Sequence, residues 1–135
     1  MSKRRDVLLL LGSVLALPRF ALAQPVERIY RVGWIGSTSR LREPYNIAFE
    51  QRLRELGFVE GRNLVIEFRG TEGRLERLPE AAADLARQNC DVLLAPGSEA
   101  NLVALKHASR DTPIVMVALD YDPVATGHVA SLARP

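Results

Sequence analysis

Two short, uninterrupted apolar runs, Val92-Leu93-Leu94-Ala95 and Ile114-Val115-Met116-Val117-Ala118, set the narrowest limits on how this chain folds. They are too short for buried helices and lack the polar alternation of a sheet with one wet face. Each reads as a central strand of a parallel sheet, covered by helices on both faces. The stretch between them opens on Pro96-Gly97-Ser98, carries Leu102 and Leu105 on one face and ends near His107-Ala108-Ser109, as a helix does. A strand, a helix and a strand joined this closely require a parallel pair with a right-handed crossover.

The preceding residues follow the same alternation. Residues 29–35 are apolar and aromatic and run into the polar Gly36-Ser37-Thr38-Ser39, which marks a strand and the loop after it. Pro44 suits a first helical turn, Phe49, Leu53 and Leu56 share one stripe, and Gly57 stands where a helix ends. Residues 63–68 alternate apolar and polar, as expected of a strand nearer the sheet edge. Leu78, Ala81, Ala82 and Leu85 share a face of an alanine-rich helix over residues 77–88. The expected fold class is α/β, a doubly wound parallel sheet in a single domain.

The amino terminus has a different character. Lys3, Arg4 and Arg5 precede an apolar run at residues 7–17, and Ala21-Leu22-Ala23 supplies a small-x-small cleavage site before Gln24. A largely apolar run of eleven residues falls short of the roughly 20 that span a bilayer, so residues 1–23 read as a cleavable signal peptide and residues 24–135 as the mature lobe. Arg4-Arg5 also loosely matches a twin-arginine leader. Lys3, Arg4, Arg5 and Arg19 leave with this segment and only Asp6 among the acids, so 18 basic and 16 acidic residues become 14 and 15. The basic balance thus belongs to the leader, and the near-neutral remainder has no electrostatic motive to bind nucleic acid. The expected location is outside the cytoplasm.

In a doubly wound sheet, ligands bind beyond the carboxyl ends of the strands. That rule selects residues 36–39, 96–99 and 119–123. Ser37 and Thr38 offer hydroxyls and amides after the first strand, without the G-x-G-x-x-G spacing of a dinucleotide site. Gly97 permits close backbone approach, and Ser98 opens a helix whose free N–H groups suit a carboxylate or phosphate; an ordinary serine N-cap is the equal alternative. Asp120 and Asp122 flank Tyr121 at a strand end and suit an ammonium or hydroxyl-rich ligand, although Asp122 before Pro123 also fits a plain turn.

No catalytic residue, metal-ligand spacing or cofactor motif is found, and no G-x-S-x-G elbow is present. Cys90, the only cysteine, reads as a half-buried filler. An exported hydrolase using Asp120 or Asp122 lacks a nucleophile or metal to work with.

Longer motifs add a resemblance. The run from Leu53-Arg54-Glu55-Leu56-Gly57-Phe58 through Val59-Glu60-Gly61-Arg62-Asn63 to Leu64-Val65-Ile66-Glu67-Phe68-Arg69 resembles the ABC-importer substrate-binding proteins of the tryptophan/tyrosine type. So do Glu72-Gly73-Arg74, Arg77-Leu78-Pro79, Pro113-Ile114-Val115-Met116-Val117, Asp122-Pro123-Val124, and Gly127 with the closing Val129-Ala130-Ser131-Leu132-Ala133-Arg134-Pro135. Gly70 departs from the family, which often has a large aromatic residue there.

The resemblance implies the amino-terminal lobe of a type I periplasmic-binding-protein fold, truncated before a second lobe that would close on the ligand by hinge motion. It implies a solute-binding component that delivers an amino acid or similar small organic molecule to an ABC permease, with no turnover. Its ligand contacts would fall on Ser37, Thr38, Gly97, Ser98, Asp120 and Asp122. A lobe without its partner would expose surface and invite self-association. A sensor or interaction lobe, or a gene fragment without function, stays open as an alternative.

Overall fold

The computed structural model describes residues 27–37, 39–40 and 42–134. The signal-peptide reading and Thr38 lie outside the described residues. The elements run β1 (Tyr30–Gly36), α1 (Pro44–Glu55), β2 (Leu64–Gly70), a 3-10 turn (Leu75–Arg77), α2 (Leu78–Arg87), β3 (Val92–Gly97), α3 (Glu99–Ala108) and β4 (Ile114–Ala118). All strand pairs are parallel and the sheet order is β2-β1-β3-β4. This is the doubly wound α/β architecture expected from the strand–helix alternation. No described helix is long and apolar enough to cross a membrane.

Strand alternation divides the core into two layers. Ile35, Leu93 and Ala95 face α2 and α3, where they pack with Leu78, Ala82, Leu85, Leu102 and Leu105 in one buried cluster. Gly33 belongs to this layer because a Cβ there would lie 2.6 Å from Leu93 Cδ2 and 2.9 Å from Cys90 Sγ. On the opposite face Trp34 meets Phe49 of α1 and Phe68 of β2 edge to face, with ring centroids 5.4 and 6.0 Å apart. This geometry suits aromatic quadrupoles and adds to the burial of a large side chain.

β4 differs from the reading of it as a central strand. It lies at the sheet edge, with Ile114 and Met116 packed towards the α3 layer while Val115 and Val117 are 49% and 42% exposed. The register pairs Leu94 with Val115, so these valines continue the α1 face of the sheet, which α1 does not cover at β4. Five consecutive apolar residues gave no sign of this asymmetry, because one face is apolar without being buried.

α1 also differs. The helix ends at Glu55 through a Schellman arrangement in which Phe58 N–H donates to Leu53 O and Gly57 N–H to Arg54 O, with Gly57 at φ +90°. Leu56 therefore stands past the helix and is exposed. The buried positions of α1 are two polar residues, Asn46 and Glu50.

Asp91 fastens β3 to β1. Its Oδ2 accepts the Arg31 backbone N–H at 2.8 Å and its Oδ1 accepts the Arg28 guanidinium at 2.6 Å. The backbone N–H and then Arg28 hold this carboxyl below its ordinary range, and Arg69 does the same for Asp84. A lowered carboxylate stabilises the fold fully above its unfolded pKa, near 4, and that stability is lost as pH falls through the folded value. Asp91→Asn is therefore expected to lower the melting temperature at pH 7 and to flatten the decline of stability below about pH 4. Thermal melts across pH 2–7 (~1-unit steps spanning the carboxylate range) check this; parallel acid limbs for the two proteins would refute it.

Candidate ligand-binding site

Every strand ends on the same side of the sheet, and the loops leaving those ends surround a cavity of about 310 Å³. That is near the lower bound of small-molecule pockets, roughly 300–1,000 Å³. Its lining includes Ser37 after β1, Thr71 and Gly73 after β2, Gly97 and Ser98 after β3, and Asp120 after β4. Trp34 and Phe68 form an aromatic floor, and α1 contributes Tyr45 and Asn46.

Backbone hydrogen bonds hold these loops together. Thr71 N–H donates to Gly36 O at 2.9 Å and Gly73 N–H to Ser37 O at 3.0 Å, which binds the loops after β1 and β2 into one wall. Across the cavity, Asn101 Nδ2 donates to Pro96 O at 2.7 Å and fixes the turn from β3 into α3. Gly97 makes that turn at φ +94°, a conformation that L side chains rarely adopt.

Ser98 occupies the N-cap position of α3 with extended backbone angles, yet its side chain makes no capping hydrogen bond. The ordinary capping role is thus not taken up, and the amino end of a ten-residue helix opens onto the cavity. Glu99, in the first turn, places Oε1 2.7 Å from His128 Nε2 and so is engaged by the carboxy-terminal segment. The partial positive charge at the head of α3 suits an anionic group.

Of the residues singled out in the sequence, Ser37, Gly97, Ser98 and Asp120 meet at this cavity. Asp122 is not among the lining residues. Its Oδ1 accepts the N–H groups of Val124 and Ala125 at 2.9 and 3.3 Å, the turn-forming alternative.

Asn46 was missed because amphipathic reading of α1 follows its apolar residues. A polar residue on the buried stripe one turn before Glu50 is the signal that points to it. Glu50 itself is ion-paired with Arg40 at 2.7 Å.

Nothing in the described residues gathers three or more His, Cys, Asp or Glu side chains as metal ligands. Cys90 is half-buried, and burial followed by the charge of Glu67 pushes its thiol above the ordinary value, which disfavours the nucleophilic thiolate.

The described residues form one α/β unit with its cavity at the carboxyl ends of the parallel strands. Three solved structures carry that fold. The ligand-free, open structure of CD0873, a substrate binding protein with adhesive properties from Clostridium difficile, superimposes with TM-score 0.66 at 24% identity over 77% of this chain. An ABC domain in complex with L-Trp from Streptococcus pneumonia gives 0.62 at 20% over 77%, and a conserved domain protein from Vibrio cholerae gives 0.64 at 24% over 78%. The match covers 35% of each of those chains, so this chain spans about a third of their length. No protein-family model and no curated protein matches the sequence.

Proposed function

We propose that this chain is the amino-terminal solute-binding lobe of an ABC importer, exported by the signal at residues 1–23 and working in the periplasm with a membrane permease. The observation that carries the reading is the cavity at the strand ends, where an uncapped helix head faces aromatic side chains and polar loops. The ligand is a small organic molecule with a carboxylate, an amino acid or a close relative, its anionic group held at Gly97 and Ser98.

The fold shared with substrate-binding proteins, one of them in complex with L-Trp, supports this. In this reading a second lobe closes over the cavity by hinge motion. Ser37 and Asp120, both exposed, then become contacts shared with that lobe. Asp122 joins them only if closure reorganises its turn, and Thr38 belongs to the same proposed contact set. The uncovered valines of β4 and its unpaired edge provide the surface for self-association of an isolated lobe.

Replacing Ser98 with proline removes one amide donor at the helix head. Calorimetric titration of the chain with a panel of L-amino acids is expected to show binding that Ser98→Pro weakens about tenfold, the value of one charge-assisted hydrogen bond. Equal affinity in the two proteins, or no binding by either, would contradict the assignment.

A further inference from the structure

Asn46 is 6% exposed, lines the cavity, and its Oδ1 has no hydrogen-bond partner among the described residues. An unsatisfied acceptor in this position is expensive, because a buried polar atom without a partner forfeits its hydration and receives nothing in return. Two other buried side-chain atoms share this state, and their settings differ. Glu50 Oε1 has its ion pair with Arg40, and the Tyr121 hydroxyl lies outside the cavity lining. Asn46 Oδ1 alone of the three belongs to a residue that lines the cavity, so a turn of the side chain suffices to bring it to a ligand there.

Its surroundings within the fold explain why the acceptor stays vacant. Asn46 is the third residue of α1, and its backbone N–H is satisfied by Glu43 O at 3.0 Å. Trp34 and Phe68, which line the cavity with it, are aromatic surfaces without an N–H or O–H in place for it. The head of α3, also at the cavity, presents donors. The site is therefore polarised, with donors at Gly97 and Ser98 and a buried acceptor on α1.

We infer that Asn46 is the specificity-determining residue of this site: its Oδ1 accepts a hydrogen bond from an N–H donor that the ligand carries in addition to its carboxylate. The inference rests on the binding reading above and adds to it a chemical requirement. A ligand with the same carboxylate but no donor leaves Oδ1 buried and unpaired, whereas a ligand with the donor relieves it. Sites built to hydrogen-bond a ligand group reject analogues that lack it far more strongly than apolar pockets reject a size mismatch. Asp120 also offers a carboxylate to a cationic ligand, but it is exposed and retains its water, so it raises affinity for cations without counting their hydrogens.

The test uses matched probes: L-amino acids whose side chains carry no N–H, such as leucine and phenylalanine, and their N,N,N-trimethyl betaines, which keep both charges and lose every N–H. Calorimetry on the chain is expected to show at least about a tenfold preference for the amino acid. Asn46→Leu, which replaces the acceptor with an apolar side chain of similar size, is expected to bring that ratio close to one while a cooperative melt is retained. Asn46→Asp keeps the acceptor and is expected to keep the preference.

A wild-type ratio near one, or an unchanged ratio in Asn46→Leu, overturns the role of Asn46 and leaves the binding assignment standing. The second of these results would mean that methyl bulk or Asp120 makes the distinction. If the unmodified chain binds neither member of any pair, the binding assignment falls and this inference falls with it.

Discussion

Trp34→Ala is expected to destabilise the lobe by about 3–5 kcal/mol, the usual range for removing a fully packed large aromatic side chain. Trp34 is 2% exposed, stands in β1 between two neighbouring strands, and stacks edge to face on Phe49 and Phe68. No neighbour is placed to fill the void. α1 holds the sheet chiefly through Phe49 and Leu53, since its other inward residues are polar, so the collapse that limits the loss at some core sites is restricted here. Domains of this size have about 5–15 kcal/mol in total, so the variant retains only a fraction of its stability. Denaturant unfolding measures the loss, and a change under 1 kcal/mol (~one fivefold step in the folding equilibrium) would show that the α1 layer contributes little.

Arg40→Met is expected to be nearly as severe, for an electrostatic reason. The Arg40 guanidinium lies 2.7 Å from Glu50 Oε1 through Nε, and its two terminal nitrogens reach Glu60 at 3.1 and 2.7 Å. Glu50 is 8% exposed, on the inward face of α1. Methionine preserves the aliphatic stem and removes the charge, leaving a carboxylate buried without a counterion. Breaking such a pair from one side costs about 3–5 kcal/mol, and the solvent contact that Arg40 retains places this case near 3 kcal/mol.

The double replacement Arg40→Met with Glu50→Leu is expected to recover most of the loss, because an apolar pair needs no compensation. A single variant as stable as the parent, or a double variant no better than the single one, would contradict this account. Arg40 also ties the loop after β1 to α1 and to the loop before β2.

These two sites illustrate what the sequence reveals and what it withholds. The strand–helix alternation was legible because it depends on local periodicity and on Gly and Pro at the junctions, Gly57 and Gly97 above all. Sheet order was not, since edge and centre are decided by contacts distant in the chain. Val115 and Val117 look as buried as Leu93 and Leu94 when only composition is read, and they differ because no described helix lies over them.

A rule of topology selected the strand-end segments, and Ser37, Gly97, Ser98 and Asp120 from them line one cavity. Asp122 escaped that rule because an Asx-type turn two residues further on engages its side chain. Asn46 and Arg40 escaped for another reason. Polar residues on a helix carry no apolar period, and whether they face solvent or a site depends on how the helix rolls onto the sheet.

In the proposed function a small carboxylate-bearing ligand binds in the cavity at the carboxyl ends of the four strands. Backbone amide NMR of the chain titrated with L-amino acids tests it most directly. Saturable shifts are expected to concentrate at Ser37, Asn46, Thr71, Gly97, Ser98 and Asp120, with the far ends of the strands unmoved. Shifts concentrated instead along the outer surface of α2 and α3, or a spectrum unchanged by every amino acid in the panel, would contradict it.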